Sequence, residues 1–212
     1  MANFTTIVDK TLNFEGGYQA FPNDSANYNS LGQLVGTNRG ISAIAYETYL
    51  GFPPTVSQIR GITPAIAKAV YKKLFWDKMA GDALLNDSVA HIMFDSYIAT
   101  GSLKLSRQGI ADAGGSVDQG NVPFNNYTVG VVNALNPQAV FNAVKQRNID
   151  QRIYLAENNP SKYGMFLQGW LNRLNAITFS DVVTEVKKNG PVIIATLFFC
   201  PQFITTGKTE TN

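Results

Sequence analysis

Cysteine and histidine are almost missing from this chain: Cys200 and His91 stand alone among 212 residues. One cysteine allows no intrachain disulfide and no Cys-rich metal motif. One histidine leaves a Ser-His-Asp hydrolase dependent on His91, and no Gly-x-Ser-x-Gly elbow accompanies it. His91 lies in the apolar run Val89 to Ile98, where a core or helix-surface histidine is the ordinary reading. Charge is also sparse, at 15% of residues with a net +2. That balance is too weak to argue for nucleic acid, though its sign suits an anionic polymer. The strongest apolar run, Val192 to Cys200, falls far short of the roughly 20 residues a membrane span needs. Met1-Ala2-Asn3-Phe4-Thr5 has no basic segment followed by an apolar one, so no secretion signal is expected. No solenoid-type internal repeat is visible. What is present, a hydrophobic fraction of 45%, describes a chain that folds as one domain, or as a main unit with a small appendage.

The organising pattern is at the N-terminal end. Phe4, Val8, Leu12 and Glu15 recur at spacings of four, four and three, which is one face of an α-helix. Asn3 fits the N-cap position and Gly16-Gly17 is a strong stop signal. This pattern puts Glu15 in the last turn, on the buried side. The negative end of the helix dipole and desolvation both disfavour an ionised carboxylate there. A raised pKa is what a general acid working near neutral pH requires. The plain alternative is a Glu15 that reaches solvent past a short helix end.

Beyond the glycines, Asp24 lies in Pro22-Asn23-Asp24-Ser25, which is ordinary Asx-turn chemistry as well as a candidate site carboxylate. Thr37-Asn38-Arg39-Gly40-Ile41-Ser42 comes later, with Ser30 between them. A helix ending in Glu, an irregular or hairpin segment with Asp, and then Thr before Gly-Ile resembles the phage-type lysozymes. Glu-Gly-Gly-Tyr, Asn-Asp and Thr-x-x-Gly-Ile together resemble glycoside hydrolase family 108, the N-acetylmuramidase or "secretion activator" family, more closely. The resemblance runs over roughly residues 1–177. Its other anchors are Ala69-Val70-Tyr71 through Phe75-Trp76, and Gly169-Trp170-Leu171-Asn172-Arg173-Leu174. The chain departs from its relatives between Asp24 and Thr37. They pass through Pro-Gly-Gly within a few residues, whereas Ser25 to Gly36 intervene here. Either Thr37 or Ser30 therefore fills the third site position.

The resemblance implies a mainly α, lysozyme-like α+β fold, a helical domain with a small β or loop lobe forming a cleft. It implies a peptidoglycan substrate, cut at the β-1,4 bond between N-acetylmuramic acid and N-acetylglucosamine. Glycoside hydrolysis ordinarily needs an acid and a group that handles the anomeric centre. Glu15 is the acid, Asp24 stabilises positive charge or positions water, and Thr37 hydrogen-bonds that water. Tyr18 packs on the sugar or orients Glu15. Trp76, Trp170 and Arg173 complete the substrate-binding candidates. Core packing is the commoner use of a residue like Trp76, and Arg173 either pairs with an acid in the cleft or forms a surface salt bridge. No cofactor and no metal are implied. Two other classes stay open: a non-catalytic glycan-binding or structural module, and a lytic transglycosylase working with one Glu. An enzyme without a signal reaches the cell wall by lysis, by a dedicated route, or inside a phage particle or similar machine.

Along the chain, residues 1–100 form the lysozyme-like catalytic region. Gly16 to Ile41 reads as a loop or small hairpin lobe. Ser42 caps a short helix through Leu50, and another turn spans Val56 to Arg60. Thr63-Pro64 opens a helix to about Lys78, and Asp87-Ser88 opens an apolar one through Tyr97. Residues 101–177 resemble the family's peptidoglycan-binding segment and are expected to pack with the first region. There a helix around Leu103, Leu105 and Ile110 ends at Gly114-Gly115, and Asp118-Gln119-Gly120 is a degraded form of the family's Asp-Gly turn. Val122 to Tyr127 reads as an insertion. A long helix starts at Asn136-Pro137 and closes at Asn159-Pro160, and a last one spans Met165 to Ile177. Residues 178–212 form a tail. Its apolar, β-branched Val192 to Phe199 either packs back on its own domain or, as the favoured expectation, anchors the protein through residues 191–212 to neighbouring subunits of a phage tail or contractile particle.

Overall fold

The apolar face of Phe4, Val8 and Leu12 packs into the centre of the molecule in a computed structural model that describes residues 1–13 and 16–180. Helix α1, Phe4–Leu12, is capped by Asn3, whose side chain accepts from the Thr6 N–H. Asn13 is its C-cap. The Thr11 hydroxyl donates back to the Ile7 carbonyl at 3.3 Å, and Thr and Asn are weak helix formers. Among the described residues the helix runs to Leu12, and Asn13 keeps right-handed helical angles. Phe14 and Glu15 lie outside the described residues.

The segment from Gly16 to Ile41 is an irregular lobe. Isolated antiparallel bridges pair Gln19 with Thr37, Tyr28 with Leu34 and Asn38 with Ile41. A 3-10 turn spans Ser25–Asn27. Buried amides hold the lobe together. Asn27 donates to Gln19 Oε1 at 2.9 Å and to the Phe21 carbonyl at 3.0 Å. Asn29 donates to the Pro54 carbonyl at 3.1 Å, and Asn38 to those of Ile59 at 2.9 Å and Arg60 at 3.2 Å. These last bonds fasten the lobe to the helical region.

Short helices follow as their caps dictate. Ser42 caps α2, Ala43–Leu50, which closes on the left-handed Gly51. Thr55 and Gln58 form a capping box on α3, Val56–Arg60. Thr63 caps α4, Pro64–Tyr71. Instead of continuing as α-helix to Lys78, the chain changes to a π turn over Lys72–Trp76, closed by the Asp77 N–H to the Lys72 carbonyl at 2.9 Å. The extra residue in that turn swings Trp76 inward. Helix α5, Asp87–Thr100, is buried from Ser88 through Ser96 and forms the centre of the domain. The rings of Phe4, Tyr71 and Trp76 all contact Phe94 on it.

Helices α6 (Lys104–Asp112), α7 (Asn126–Ala134) and α8 (Pro137–Asn158) come next. Then come α9 (Pro160–Tyr163), a 3-10 turn at Gly164–Phe166, and α10 (Leu167–Ala176). Helix α10 thus begins two residues later than Met165. Helix α6 crosses α8 at Gly109, where a Cβ would sit 2.7 Å from both Cα and N of Val144. Arg107, fully buried on α6, fastens the loop behind it. It donates to the Asp118 carboxylate at 2.9 Å and to the carbonyls of Asp118, Val122 and Pro123 at 3.1, 2.9 and 3.3 Å. One hydrophobic cluster runs through Ile7, Phe94, Ile110, Val144 and Leu174. Ser180 donates its N–H to Ser88 Oγ at 2.9 Å. The expected anchor, residues 191–212, and Cys200 lie outside the described residues. Among the described residues no helix is long and apolar enough to cross a membrane, and no cluster of three His, Cys, Asp or Glu side chains could hold a metal.

Candidate active site

The lobe brings Asp24 and Thr37 together on two shared partners. Asp24 is the N-cap of the 3-10 turn, and its Oδ1 accepts from the Ala26 N–H at 3.0 Å. The Thr37 hydroxyl donates to the carbonyl of the same Ala26 at 3.5 Å. The second partner is Gln19. Its backbone pairs with that of Thr37 in both directions, at 2.9 and 2.8 Å, while its Nε2 donates to Asp24 Oδ2 at 3.3 Å. Gln19 Oε1 already accepts from the Phe21 N–H at 3.0 Å and from Asn27 at 2.9 Å. The acceptor end is thereby fixed, and the donor end must face the carboxylate. Gly36 makes this approach feasible, because a Cβ there would lie 2.6 Å from the Tyr18 ring and 2.7 Å from the Gln19 carbonyl.

The other candidates divide. Ser30 is held by Glu47 on α2, which accepts from both its N–H and its hydroxyl, so it belongs to the lobe's outer fastening. Tyr18 lies against Gly36, donates to the Val35 carbonyl at 3.3 Å, and carries the Arg60 guanidinium 4.0 Å from its ring centre. Its half-buried ring braces the lobe. Trp76 is corrected as a substrate-binding candidate. It is 0% exposed, its indole N–H donates to Asp82 at 2.7 Å, and no ring face is open to a ligand. The asymmetry is physical: the π turn directs the largest apolar side chain of the segment into the core. Glu15 lies outside the described residues.

Trp170 and Arg173, in contrast, meet at a pocket of about 290 Å³ lined by Gly40, Asp95, Ile98, Ala99, Arg152, Trp170, Arg173 and Leu174. Arg173 pairs with the buried Asp95, Nε and a terminal nitrogen both at 2.8 Å from Oδ1. Gly40 belongs to the hairpin turn that follows Thr37, so the lobe contributes one residue to the pocket. Behind it on α5, His91 is 7% exposed, and burial pushes its pKa down to about 4. Lys10 and Arg173 act in the same direction as burial, and Asp95 and Asp87 oppose it.

Residues 8–101 match the glycosyl hydrolase 108 family. The matched segment is a little under half of the chain. It contains Asp24, Thr37 and the whole lobe. No curated protein matches the sequence. Among solved structures, SagA of Brucella abortus has the same fold at 20% identity, with a TM-score of 0.63, over 84% of this chain and 97% of that one. The glycosyl hydrolase 108 segment stops at the end of α5, so Arg152, Trp170 and Arg173 come from helices beyond it.

Three site residues escaped the sequence reading. Gln19, Asn27 and Arg152 are polar residues in polar surroundings, and their placement depends on what folds over them. For Arg152 a signal existed. Val140, Val144, Asn148, Arg152 and Ala156 follow at intervals of four and are all buried on α8.

Proposed function

We propose that this protein is an N-acetylmuramidase that cuts the β-1,4 bond between N-acetylmuramic acid and N-acetylglucosamine in peptidoglycan. The observation that carries this is the pairing of Asp24 with Thr37 on Ala26 and Gln19, inside the segment that matches a glycoside hydrolase family. With its proton given to Ala26, the Thr37 hydroxyl accepts one hydrogen of a water. The Asp24 carboxylate accepts the other, leaving the oxygen lone pair for the anomeric carbon. Glu15 protonates the departing glycosidic oxygen in this scheme. Trp170 and Arg173 contact the substrate further along the cleft.

The test is digestion of purified peptidoglycan with mass spectrometry of the fragments. Reducing N-acetylmuramic acid ends are expected, and Glu15→Gln should abolish them in a folded protein. Anhydro ends would convert the reading to a lytic transglycosylase, and wall binding without new ends to a glycan-binding module. The apolar Val192 to Phe199 supports a place in a phage tail or contractile particle, from which the enzyme acts at the bacterial wall. Deleting residues 191–212 should then leave soluble activity intact and remove the protein from the particle.

A further inference from the structure

Two arginines are buried in the C-terminal helices, and they are treated in opposite ways. Arg107 has its two terminal nitrogens on one carboxylate and three carbonyls, while its Nε has no partner among the described residues. Arg152 is 9% exposed and has no hydrogen bond and no ion pair among the described residues; its guanidinium carbon lies 5.1 Å from the ring centre of Trp170. Asp95, on the same pocket wall, attracts it electrostatically but gives its hydrogen bond to Arg173. A guanidinium stays charged in a protein, and the donors of Arg152 are left open to the pocket rather than spent on the fold. The unpaired donors of Arg152 border a pocket of about 290 Å³, with Gly40, Ile98 and Ala99 supplying apolar or backbone surface opposite.

From this arrangement we infer that the pocket is a carboxylate subsite. Arg152, stacked on Trp170, receives an anionic substituent of the substrate while the sugar chain lies at Asp24 and Thr37. The inference rests on the peptidoglycan reading for the identity of the substrate, and on Arg152 alone for its charge. A planar guanidinium pairs with a carboxylate through two parallel N–H donors, so the site selects that group over a neutral amide. The volume lies at the floor of the ~300–1,000 Å³ typical of small-molecule sites. It has room for a carboxyl and the atoms that carry it. Peptidoglycan offers two such groups, the lactyl carboxylate of an unsubstituted muramic acid and the carboxylates of the peptide stem. Chitin-type sugars offer none.

The experiment titrates the full chain with four ligands, followed by tryptophan fluorescence and by the arginine side-chain N–H signals in NMR. These are N-acetylmuramic acid, N-acetylmuramyl-alanyl-isoglutamine with one free carboxylate, the amide of that dipeptide, and neutral di-N-acetylchitobiose. The free acid should bind about tenfold or more tighter than its amide, the factor expected for a hydrogen-bonded charge in a buried site. Preference for the dipeptide acid assigns the stem carboxylate, and preference for N-acetylmuramic acid assigns the lactyl one. Arg152→Met should erase the difference between acid and amide while leaving chitobiose affinity unchanged. It should melt close to wild type, because Arg152 makes no hydrogen bond to the fold among the described residues. Equal binding of acid and amide by the wild type overturns the inference without any mutant. A lowered melting temperature with loss of all ligands makes Arg152 structural and overturns it as well. Because binding is read directly, an enzyme inactive on cell walls would defeat the muramidase reading and leave this one standing, and the reverse holds for an active enzyme that ignores the carboxylate.

Discussion

Acidification should destabilise this protein through His91. In the native state the ring is 7% exposed and its Nε2 has no hydrogen-bond partner among the described residues. Burial lowers its pKa from 6.5 to about 4, with Lys10 and Arg173 adding to the effect. The unfolded chain binds the proton at 6.5 and the native state resists it, so between those values the unfolded state holds more protons. Stability then falls as the pH falls, is complete above about 6.5, and stops changing below about 4. Integrating between the two pKa values gives a loss of about 2 kcal/mol by pH 5 and about 3 kcal/mol by pH 4, relative to pH 7. In a chain of this length the first figure lowers Tm by roughly 4–8 °C. The assay is a set of thermal melts from pH 7 to pH 4 on the wild type and on His91→Gln, which fills similar volume and does not titrate. Carboxylates contribute to the acid limb of both proteins and cancel in the difference. The gap between the two curves should open below pH 6.5 and reach about 2 kcal/mol at pH 5. Parallel curves over that range would refute the picture of a neutral, buried His91.

Other tests address the site and its frame. Asp24→Asn should lower wall-cleaving activity at least about tenfold, as should Thr37→Ala, while Ser30→Ala leaves turnover unchanged. Loss with Ser30→Ala and not with Thr37→Ala would show that the insertion was misplaced. Gln19→Leu keeps the volume but removes the donor to Asp24 and the acceptor for Asn27, so kcat should fall about tenfold in a folded protein, as circular dichroism and wall digestion together will show. Gly109→Ala places a methyl 2.7 Å from the Val144 backbone, which cannot rotate away as a side chain could. It should destabilise by about 1–3 kcal/mol in chemical denaturation.

Local chemistry was the legible part. Asn3, Ser42, Thr63 and Asn136 each accept the backbone N–H that their position predicts, and Gly51 closes α2 in the left-handed conformation. Those contacts span three or four residues, so sequence spacing suffices to find them. The lobe was legible as irregular, but its internal order was not. Asn27, Asn29 and Asn38 look like loop residues until Val35, Pro54 and Ile59 are brought beside them. The π turn at Lys72–Trp76 was missed because it depends on a small balance of backbone bonds. Trp76 and Arg173 illustrate the limit at the site itself. Both stood in family-like runs, yet one turned into the core and the other onto Asp95 beside a pocket.

The three buried bases show what the fold does with charge it cannot leave in water. His91 sheds its proton, which is open to imidazole near neutral pH and closed to guanidinium. Arg107 keeps its charge and surrounds it with oxygen, and the loop from Asp118 to Pro123 is ordered as a result. Arg152 spends none of its donors on the fold: its guanidinium lies against Trp170, is attracted by Asp95 and opens onto the pocket. Substitution of Arg152 should therefore lower anion binding with little change in stability, whereas substitution of Arg107 should lower stability alone.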